Sequence, residues 1–249
     1  MAGVSLITGG GSGIGRQTAI SLGQAGDAVA VADIDADAAG KTADAIVGTG
    51  GIAASYALDV ADPAAVARVA GAVARDLGPV ERAVNLAGIV GFADIEDIAD
   101  ADWQRMMAVH AGGTFHVCRA VVPGMVGRRR GAIVNAASVF ALRGQAGAAH
   151  YAAAKAAVIA FSKSVAREKA PFGVRVNVVS PGPVDTPFFG RGMAGDELDR
   201  VRRERAKTVP LGAIARAEQV SSVIVFLLGD GAAHMTGQVV PVDGGETMR

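Results

Sequence analysis

Short runs of strand-forming residues alternate with alanine-rich helical stretches along the chain, and this alternation constrains the fold most. The strand-like runs are residues 4–8, 28–32, 52–58, 82–85, 132–135, 175–179 and 238–242. Strands separated by helix-length segments are typical of βαβ units, which pair their strands in parallel. The nearly unbroken valine of residues 174–180 suits a strand covered on both faces. We predict an α/β fold, a Rossmann-type doubly wound parallel sheet of about seven strands with helices on both faces.

Nothing in the sequence marks a second structural unit. The 249 residues, 51% of them hydrophobic, suffice for one α/β core, and no repeat, linker or shift in composition divides them. Residues 1–249 are therefore predicted to form a single domain. The most irregular segment starts at Pro181 and leads into the charged residues 196–207. It predicts a mobile lid at about residues 187–208, although a solvated helix after a proline-rich loop has the same pattern.

Composition argues against several classes of partner. Lys and Arg total 24, as do Asp and Glu, so no net charge attracts nucleic acid or an anionic membrane. No run reaches the roughly 18 apolar residues of a membrane span, and no leader-like segment precedes the first strand. Cys118 is the only cysteine, and the histidines lack metal-ligand spacing. We expect a cytoplasmic protein that binds a small molecule and no metal, nucleic acid or membrane.

A glycine-rich turn follows the first strand. Residues 8–15 read Thr-Gly-Gly-Gly-Ser-Gly-Ile-Gly, and helical sequence begins near Arg16. Glycines allow the backbone to approach a pyrophosphate closely, and the helix N-terminus offers unpaired N–H groups. Because the run lies between a strand and a helix, it predicts a dinucleotide-binding turn rather than an ordinary tight turn.

An aspartate at the end of the second strand bears on the choice of cofactor. Asp33 lies 18 residues beyond Gly15. A carboxylate there accepts hydrogen bonds from both hydroxyls of an adenosine ribose and repels the additional phosphate of NADP. We therefore expect NAD, although a solvated turn aspartate is the alternative. Arg16 is the nearby residue that argues for some tolerance of NADP.

The candidate chemistry centres on a tyrosine and a lysine. Tyr151 and Lys155 are four residues apart in an alanine-rich stretch, which puts them on one helical face. An ammonium beside a phenol lowers the pKa of the phenol and favours its use as an acid or base. The spacing alone is weak evidence. Ser138, which follows the strand at residues 132–135, adds a second hydroxyl.

With Ser138 included, the chain resembles the short-chain dehydrogenase/reductase family. The matching pieces run in the family's order over nearly the whole chain. They are the glycine motif of residues 8–15, Asp59 in Leu-Asp-Val, Asn-Leu-Ala-Gly at 85–88, Ser138, Tyr-Ala-Ala-Ala-Lys at 151–155, Pro181-Gly182, Thr186, and Val-Asp-Gly-Gly at 242–245.

The resemblance implies a role for each matching residue. Ser138 would hold the substrate oxygen, Tyr151 would exchange its proton, and Lys155 would bind the nicotinamide ribose and depress the tyrosine pKa. Asp59 would meet the adenine, Asn85 and Gly88 would line the cofactor, and Thr186 would contact the carboxamide. The expected cofactor-binding residues are Gly9, Gly11, Ser12, Gly13, Ile14, Gly15, Asp33, Ile34, Asp59, Val60, Asn85, Ala87, Gly88, Tyr151, Lys155, Pro181, Gly182, Val184 and Thr186.

Two positions depart from the family's pattern. Leu86 replaces the second asparagine of Asn-Asn-Ala-Gly, where a strand end tolerates leucine. His110 stands where the family usually has an asparagine that helps to hold a proton-relaying water. A histidine can bind a water and titrates near neutral pH, so His110 is a further candidate catalytic residue with its own pH dependence. The alternative is a buried histidine satisfied by the backbone.

The candidate substrate pocket is mostly apolar. This favours a ketone or secondary alcohol of modest size over a heavily hydroxylated sugar. Arg143 and Gln145 are candidate anchors for a polar tail. The expected pocket residues are Val90, Phe92, Val139, Phe140, Leu142, Gln145, Phe188, Phe189 and Met193, together with Val184.

These observations predict an enzyme that transfers a hydride between NAD(H) and a secondary alcohol or ketone. One alternative is an NADP-dependent 3-oxoacyl-thioester reductase, which Asp33 opposes. Another is a non-catalytic dinucleotide sensor, which the joint presence of Ser138, Tyr151 and Lys155 opposes. The helices near Asp102 and Tyr151 are apolar around much of their circumference, and with the family resemblance this predicts a homotetramer.

Overall fold

Seven parallel strands form the centre of the molecule in a computed structural model, which describes residues 3–190 and 193–248. In chain order the strands of the described residues are β1 (Val4–Thr8), β2 (Ala28–Asp33), β3 (Ile52–Ala57), β4 (Val80–Asn85), β5 (Gly131–Ala136), β6 (Val174–Pro181), β7 (Val184–Asp185), β8 (Ala215–Arg216) and β9 (Val239–Val242). The short strands β7 and β8 pair with each other and form a separate sheet. The main sheet has the order β3-β2-β1-β4-β5-β6-β9, and every pair in it is parallel. The predicted doubly wound sheet is confirmed.

Helices cover both faces of this sheet. They are α1 (Gly13–Gln24), α2 (Ala36–Val47), α3 (Pro63–Asp76), α4 (Asp100–Met107), α5 (Gly113–Gly127), α6 (Phe140–Arg143), α7 (Ala149–Lys169), α8 (Gly195–Lys207) and α9 (Ala217–Leu228). A five-residue π-helical segment, Ala108–Gly112, joins α4 to α5.

The two cores follow from the alternation of side chains along the strands. Leu6 of β1 packs with residues of α3, α5 and α7, whereas its neighbour Ile7 packs with residues of α1, α2 and α9. Successive residues of a strand point to opposite faces, so a strand covered on both sides needs apolar residues throughout. All five residues of β1 are buried accordingly.

The strand order places a cleft at the carboxyl ends of the strands. From β1, the chain proceeds outward to β2 and β3 on one side, and to β4, β5, β6 and β9 on the other. Such a reversal of winding opens a crevice beyond the carboxyl ends of the central strands, where ligands bind in open α/β sheets. The glycine-rich turn after β1 lies at this point.

At the opposite end of β6, Arg175 joins the sheet to α9. Its guanidinium donates to the carbonyls of Leu227 at 2.7 Å and of Leu228 and Gly229 at 3.1 Å each. These carbonyls belong to the last turn of α9, where the helix leaves its acceptors unpaired and negative. Arg175 therefore caps the helix with a positive charge.

The segment predicted as a mobile lid contains α8. Residues 191 and 192 of that segment lie outside the described residues. Arg202 of α8 bonds to Asp185 of β7 at 2.7 Å, and Arg205 bonds to Glu246 near the chain end at 3.3 Å. The predicted alternative, a charged helix after a proline-rich loop, describes its local form, while its mobility stays a prediction. In the described residues no helix is long and apolar enough to cross a membrane.

Candidate active site

A cavity of about 610 Å³ opens at the carboxyl ends of the strands. It gathers residues predicted from motifs spread over most of the chain. Those from the predicted cofactor set are Gly9, Ser12, Gly13, Ile14, Gly15, Asp33, Ile34, Asp59, Val60, Ala87, Gly88, Tyr151, Lys155, Pro181, Gly182, Val184 and Thr186. Those from the predicted catalytic and substrate sets are His110, Ser138, Val90, Phe92, Val139, Phe140, Gln145, Phe188, Phe189 and Met193.

The glycine-rich turn has the geometry of a backbone cradle. Gly9 has φ +70° and Gly13 has φ +50°, a region that disfavours side chains. A Cβ at Gly9 would lie 2.7 Å from the backbone nitrogen of Ala87, and one at Gly13 would lie 3.2 Å from Thr186. The first turn of α1 begins at Gly13, and the Ser12 side chain makes no capping bond. The helix N–H groups therefore face the cavity, as a phosphate site requires.

Asp33 is fixed beside this turn. The Gly11 N–H donates to its Oδ2 at 2.9 Å, and the Asp35 N–H donates to its Oδ1 at 3.0 Å. Both carboxylate oxygens are thus oriented by the backbone, while the side chain still lines the cavity. Gly11 supports Asp33 and is not itself on the cavity wall.

Tyr151, Ser138 and Lys155 meet in the middle of the cavity. Tyr151 lies in the first turn of α7, and the Ser138 hydroxyl beyond β5 is close enough to lower the pKa of its phenol. Lys155 is one turn later, with its Nζ 5.8 Å from the centre of the Tyr151 ring. The Lys155 ammonium donates to the Ala136 carbonyl at 2.8 Å. This carbonyl belongs to β5, so the strand end sets the position of the lysine.

The predicted lowering of the tyrosine pKa does not appear in this structure. Burial raises the pKa of Tyr151 to about 12, and the Ser138 hydroxyl offsets only part of that rise. Burial lowers the pKa of Lys155 to about 7, so the lysine is partly neutral at neutral pH. Both shifts disfavour charge, because moving an ionised group from water into protein costs free energy. At neutral pH the phenol therefore keeps its proton.

His110 lies in the π-helical segment and packs edge-on against Tyr151, with ring centres 5.3 Å apart. Its Nε2 lies 2.8 Å from the Ile89 carbonyl and 3.3 Å from the Ile89 nitrogen, and the shorter distance fits the tautomer in which Nε2–H donates. Its Nδ1 is buried and has no partner within the described residues. Backbone therefore satisfies one nitrogen and leaves the other as an acceptor.

The predicted titration of His110 near neutral pH is wrong. Burial, and secondarily the charge of Lys155, hold the pKa of His110 well below its usual value, against the opposing effect of the Ile89 carbonyl. The imidazole is therefore neutral throughout the neutral range. It can accept or hold a hydrogen bond without contributing its own ionisation to a pH profile.

Three residues of the predicted cofactor and substrate sets are not on the cavity wall. Besides Gly11, these are Asn85 and Leu142. The Asn85 amide donates to Asn135 Oδ1 at 2.8 Å and is 3.7 Å from the Cys118 sulfur, so it belongs to a buried polar cluster under β4 and β5. Leu142 is in α6, one turn from the cavity residues Val139 and Phe140. The family motif places Asn85 in sequence but does not show which face its side chain takes.

Arg143 and Gln145 are already engaged with the protein. Arg143 donates to Glu246 at 2.6 Å and to Gln145 at 3.0 Å. Its guanidinium also lies 5.1 Å from the centre of the Phe140 ring. Gln145 lines the cavity but Arg143 does not, so the predicted polar anchor is reduced to Gln145.

Sequence reasoning missed several residues of the wall. They are Leu58, Leu86, Ile89, Arg105, Val109, Ala136, Ala137, Pro183, Val201 and Arg205. Arg105 and Arg205 carry charge, but an arginine on a helix is ordinarily a solvated residue, so no sequence signal set them apart. No group of His, Cys, Asp and Glu capable of holding a metal occurs in the described parts of the chain.

Comparison with known proteins assigns the class. A family model described as enoyl-(acyl carrier protein) reductase matches residues 9–247. With the fold and site above, this shows that the chain belongs to the short-chain dehydrogenase/reductase family. It is an oxidoreductase of a family that uses a nicotinamide dinucleotide.

Individual relatives are similar over their whole length. The chain is 37% identical to 2-(S)-hydroxypropyl-CoM dehydrogenase 3 of Xanthobacter autotrophicus, covering 98% of this chain and 96% of the relative. It is 37% identical to a 3-oxoacyl-(acyl-carrier-protein) reductase of Thermotoga maritima, covering 97% and 96%. The crystal structure of levodione reductase matches with a TM-score of 0.94 and 30% identity, covering 98% of this chain and 96% of that one.

Proposed function

We propose that this protein is an NAD-dependent dehydrogenase that interconverts a secondary alcohol and a ketone. The observation that carries the proposal is the meeting of the Ser138 and Tyr151 hydroxyls with Lys155 in one cavity that Asp33 also lines. The walls beside these hydroxyls are mainly apolar, which suits an alkyl or aryl ketone.

The residues present fit a dinucleotide. Close backbone approach at Gly9 and Gly13 leaves room that a Cβ would fill, and the start of α1 offers N–H groups to a pyrophosphate. Asp33 would hold the adenosine ribose, Asp59 and Val60 would border the adenine, and Lys155 would bind the nicotinamide ribose. Thr186 would contact the carboxamide. When bound, NAD(H) supplies the hydride acceptor or donor of the reaction.

Tyr151 acts as the acid/base at its phenolic oxygen. In reduction, Ser138 holds the ketone oxygen and Tyr151 donates its proton to that oxygen. The raised pKa of Tyr151 keeps this proton in place at neutral pH. In oxidation, the phenolate accepts the proton of the substrate hydroxyl, and a protonated Lys155 nearby favours the phenolate.

His110 completes the polar surroundings of this pair. Its buried Nδ1 is an acceptor without a protein partner in the described residues, and the Tyr151 ring is adjacent. Buried polar atoms normally find a partner, often an ordered water. We propose that His110 holds a water that relays protons from Lys155 to solvent, as a positioning residue that remains neutral.

The relatives support this class of substrate. The name of the Xanthobacter relative states a 2-hydroxypropyl group, which contains a secondary alcohol. The Thermotoga relative equally supports a second candidate, reduction of a 3-oxoacyl thioester with NADP. Asp33 opposes it, because a carboxylate beside the ribose repels a 2′-phosphate. A non-catalytic dinucleotide sensor is the third candidate, and the joint placement of Ser138, Tyr151 and Lys155 opposes it.

The test is NADH formation during a screen of secondary alcohols, repeated with Tyr151→Phe. Removing only the proton-transferring oxygen is expected to lower kcat at least roughly a hundredfold while NAD binding persists, because general acid–base catalysis contributes on that scale. Tyr56→Phe is the matched control, since Tyr56 is the other tyrosine and donates to Asp76 at the end of α3.

Three outcomes would contradict the proposal. Near-normal turnover by Tyr151→Phe would remove the role of the phenol. Turnover of 3-oxoacyl thioesters with NADPH in preference to any alcohol would favour the second candidate. NAD binding without turnover of any substrate would favour the sensor.

We also propose a homotetramer, a single domain over residues 1–249 with a lid at about 187–208, and a cytoplasmic location. Exposed aromatic residues on α4 and α5, Trp103 and Phe115, support the assembly. The lone cysteine, Cys118, is buried and unpaired, which supports a reducing compartment. The lid proposal requires release of the ion pairs that α8 makes with Asp185 and Glu246.

A further inference from the structure

The charged side chains on the cavity wall are segregated by sign. Its acidic residues among those described are Asp33, the last residue of β2, and Asp59, which follows β3. Arg105 on α4 and Arg205 on α8 also line it. Since β2 and β3 form one end of the sheet, both carboxylates lie in the half proposed for the adenosine.

Arg205 belongs to the opposite half of the molecule. Its Nη2 donates to Glu246 Oε1 at 3.3 Å, and Glu246 follows β9 at the other edge of the sheet. Arg143 donates to the same oxygen at 2.6 Å. Two guanidinium groups thus share one carboxylate, and the cluster keeps a net positive charge of one. Glu246 is only 6% exposed, whereas the Arg143 and Arg205 side chains are 33% and 26% exposed, so water screens the surplus positive charge in part.

Arg105 approaches the cavity from α4. It also lines a smaller neighbouring cavity of about 330 Å³ with residues 89–93, His150 and Asp102. Arg105 is exposed, and within the described residues its side chain makes no hydrogen bond or ion pair. Asp102, one turn earlier, lines only the smaller cavity. The guanidinium of Arg105 is therefore available to a ligand.

The wall near these two arginines is apolar. Phe188, Phe189, Met193 and Val201 belong to the same loop and helix as Arg205, and Phe92 belongs to the loop beside Arg105. An apolar wall bordered by Arg105, which is unpaired among the described residues, and by a cluster with one surplus positive charge suits a molecule with a hydrocarbon body and an anionic end. Guanidinium forks bind carboxylate, sulfonate and phosphate groups through paired charge-assisted hydrogen bonds.

We propose that the substrate carries an anionic group at the end remote from the reacting carbon, bound by Arg205 and Arg105. This inference rests on the proposed function and adds the substrate class to it. The anion can come from a small hydroxy acid or from the phosphate of a pantetheine-linked thioester. Both present the same chemistry to the arginines.

The test compares matched pairs of substrates that differ only in this charge. One arm uses 5-hydroxyhexanoate against its methyl ester, with NAD. The other arm uses the 3-hydroxybutyryl thioester of phosphopantetheine against that of pantetheine. In the pair whose charged group is the one that the arginines recognise, the charged substrate is expected to have a kcat/KM roughly tenfold to a hundredfold higher than the uncharged one. Most of this difference should come from a lower KM.

Variants identify the residues responsible. Arg205→Gln and Arg105→Gln are each expected to reduce the preference for the charged member at least roughly tenfold. Arg200→Gln, on the exposed side of α8, is the control for general charge and should keep that preference. Glu246→Gln removes the carboxylate that competes for Arg205, and it is expected to maintain or strengthen the preference.

The outcomes separate this inference from the proposed function. Equal turnover of charged and uncharged members would overturn the inference and leave the dehydrogenase proposal standing. A Glu246→Gln variant that loses the preference as Arg205→Gln does would also overturn it, because Arg205 would then act only by holding the chain end. Absence of turnover in all four substrates and in the wider alcohol screen would instead refute the proposed function.

Discussion

Two backbone N–H groups hold the carboxylate of Asp33, and this arrangement makes the residue suited to discriminate between ligands. The bonds from Gly11 and Asp35 fix the side chain beside the glycine-rich turn. A fixed carboxylate cannot swing away from a second negative group, so it must either accept hydroxyl donors or repel phosphate.

Asp33→Asn is therefore expected to lower the preference for NAD over NADP at least roughly tenfold, since about 1.4 kcal/mol of repulsion corresponds to that factor. The amide keeps an oxygen for the Gly11 N–H and loses only the charge. Steady-state kcat/KM with both cofactors measures the change. Asp37→Asn, which removes the same charge from an exposed position in α2, should leave the preference unchanged. A wild-type enzyme that prefers NADP would refute the role of Asp33.

His110 links stability to pH because it resists protonation in the fold. Burial holds its pKa well below 6.5 in the native state, whereas the unfolded chain takes up a proton near that pH. Below about pH 6.5 the unfolded state therefore binds more protons than the native state, so the free energy of unfolding decreases as the pH falls. Burial of Lys155 acts in a separate window, between its native pKa of about 7 and its ordinary value of 10.5.

The wild type is expected to lose stability as the pH falls from about 6.5 to 5, and we predict that His110→Asn abolishes this loss. One such proton contributes at most about 1.4 kcal/mol per pH unit. Urea unfolding at several pH values measures this slope, with His234→Asn as the exposed control. An unchanged slope would contradict the assignment. Because the ring stays neutral, the shape of the kcat/KM profile above pH 6 should also survive the substitution, while a lower rate would support a role in proton relay.

The sequence identified most of the residues of the cavity wall, but not the orientation or the pKa of their side chains. Motif positions such as Ser138, Tyr151 and Thr186 do line the cavity. The inward turn of Asn85 depends on its partner Asn135 in the neighbouring strand, 50 residues away in sequence. Likewise, the pKa of Tyr151 is governed by burial, which no local pattern reports.

At the scale of elements, hydrophobic runs predicted all seven strands of the main sheet within one or two residues. Buried parallel strands carry a strong signal because both faces need apolar residues. The two-residue strands β7 and β8 were missed, since two residues have no periodicity. The π-helical segment around His110 was missed as well. Its one extra residue per turn depends on packing against α7 rather than on local composition.

Arg175 provides a test of how elements are joined. Arg175→Ala is expected to lower the free energy of unfolding by about 2–4 kcal/mol, because the last carbonyls of α9 lose their charged donor. Urea unfolding at fixed protein concentration measures the loss. Arg167→Ala, an exposed arginine on α7, should change stability by less than about 0.5 kcal/mol. Equal effects of the two substitutions would show that Arg175 contributes no specific cap.

At the scale of the whole molecule, the outer faces of α4, α5 and α7 remain partly apolar. Phe115 of α5 is 41% exposed and packs edge-on against Phe161 of α7, and Trp103 of α4 is 43% exposed. Isolated exposed aromatics are common on monomers, but a set on neighbouring helices is typical of a subunit contact.

Light scattering is therefore expected to give four times the 25.0 kDa mass of the chain. Phe115→Glu should reduce that mass, because it removes the apolar ring beside Arg119 and would bury charged groups in the contact. Phe172→Glu replaces an aromatic residue of similar exposure outside these helices and should keep the assembly. A monomeric wild type at assay concentrations would contradict the homotetramer.

The bond between Lys155 and the Ala136 carbonyl also has a consequence for mutation. Its acceptor is a main-chain oxygen at the end of β5. No replacement of the Ala136 side chain removes that oxygen, so substitutions there act only through the space that a larger group would need. Lys155 therefore keeps its acceptor when the Ala136 side chain changes, and the limited space at this buried position of the cavity wall decides which side chains fit there.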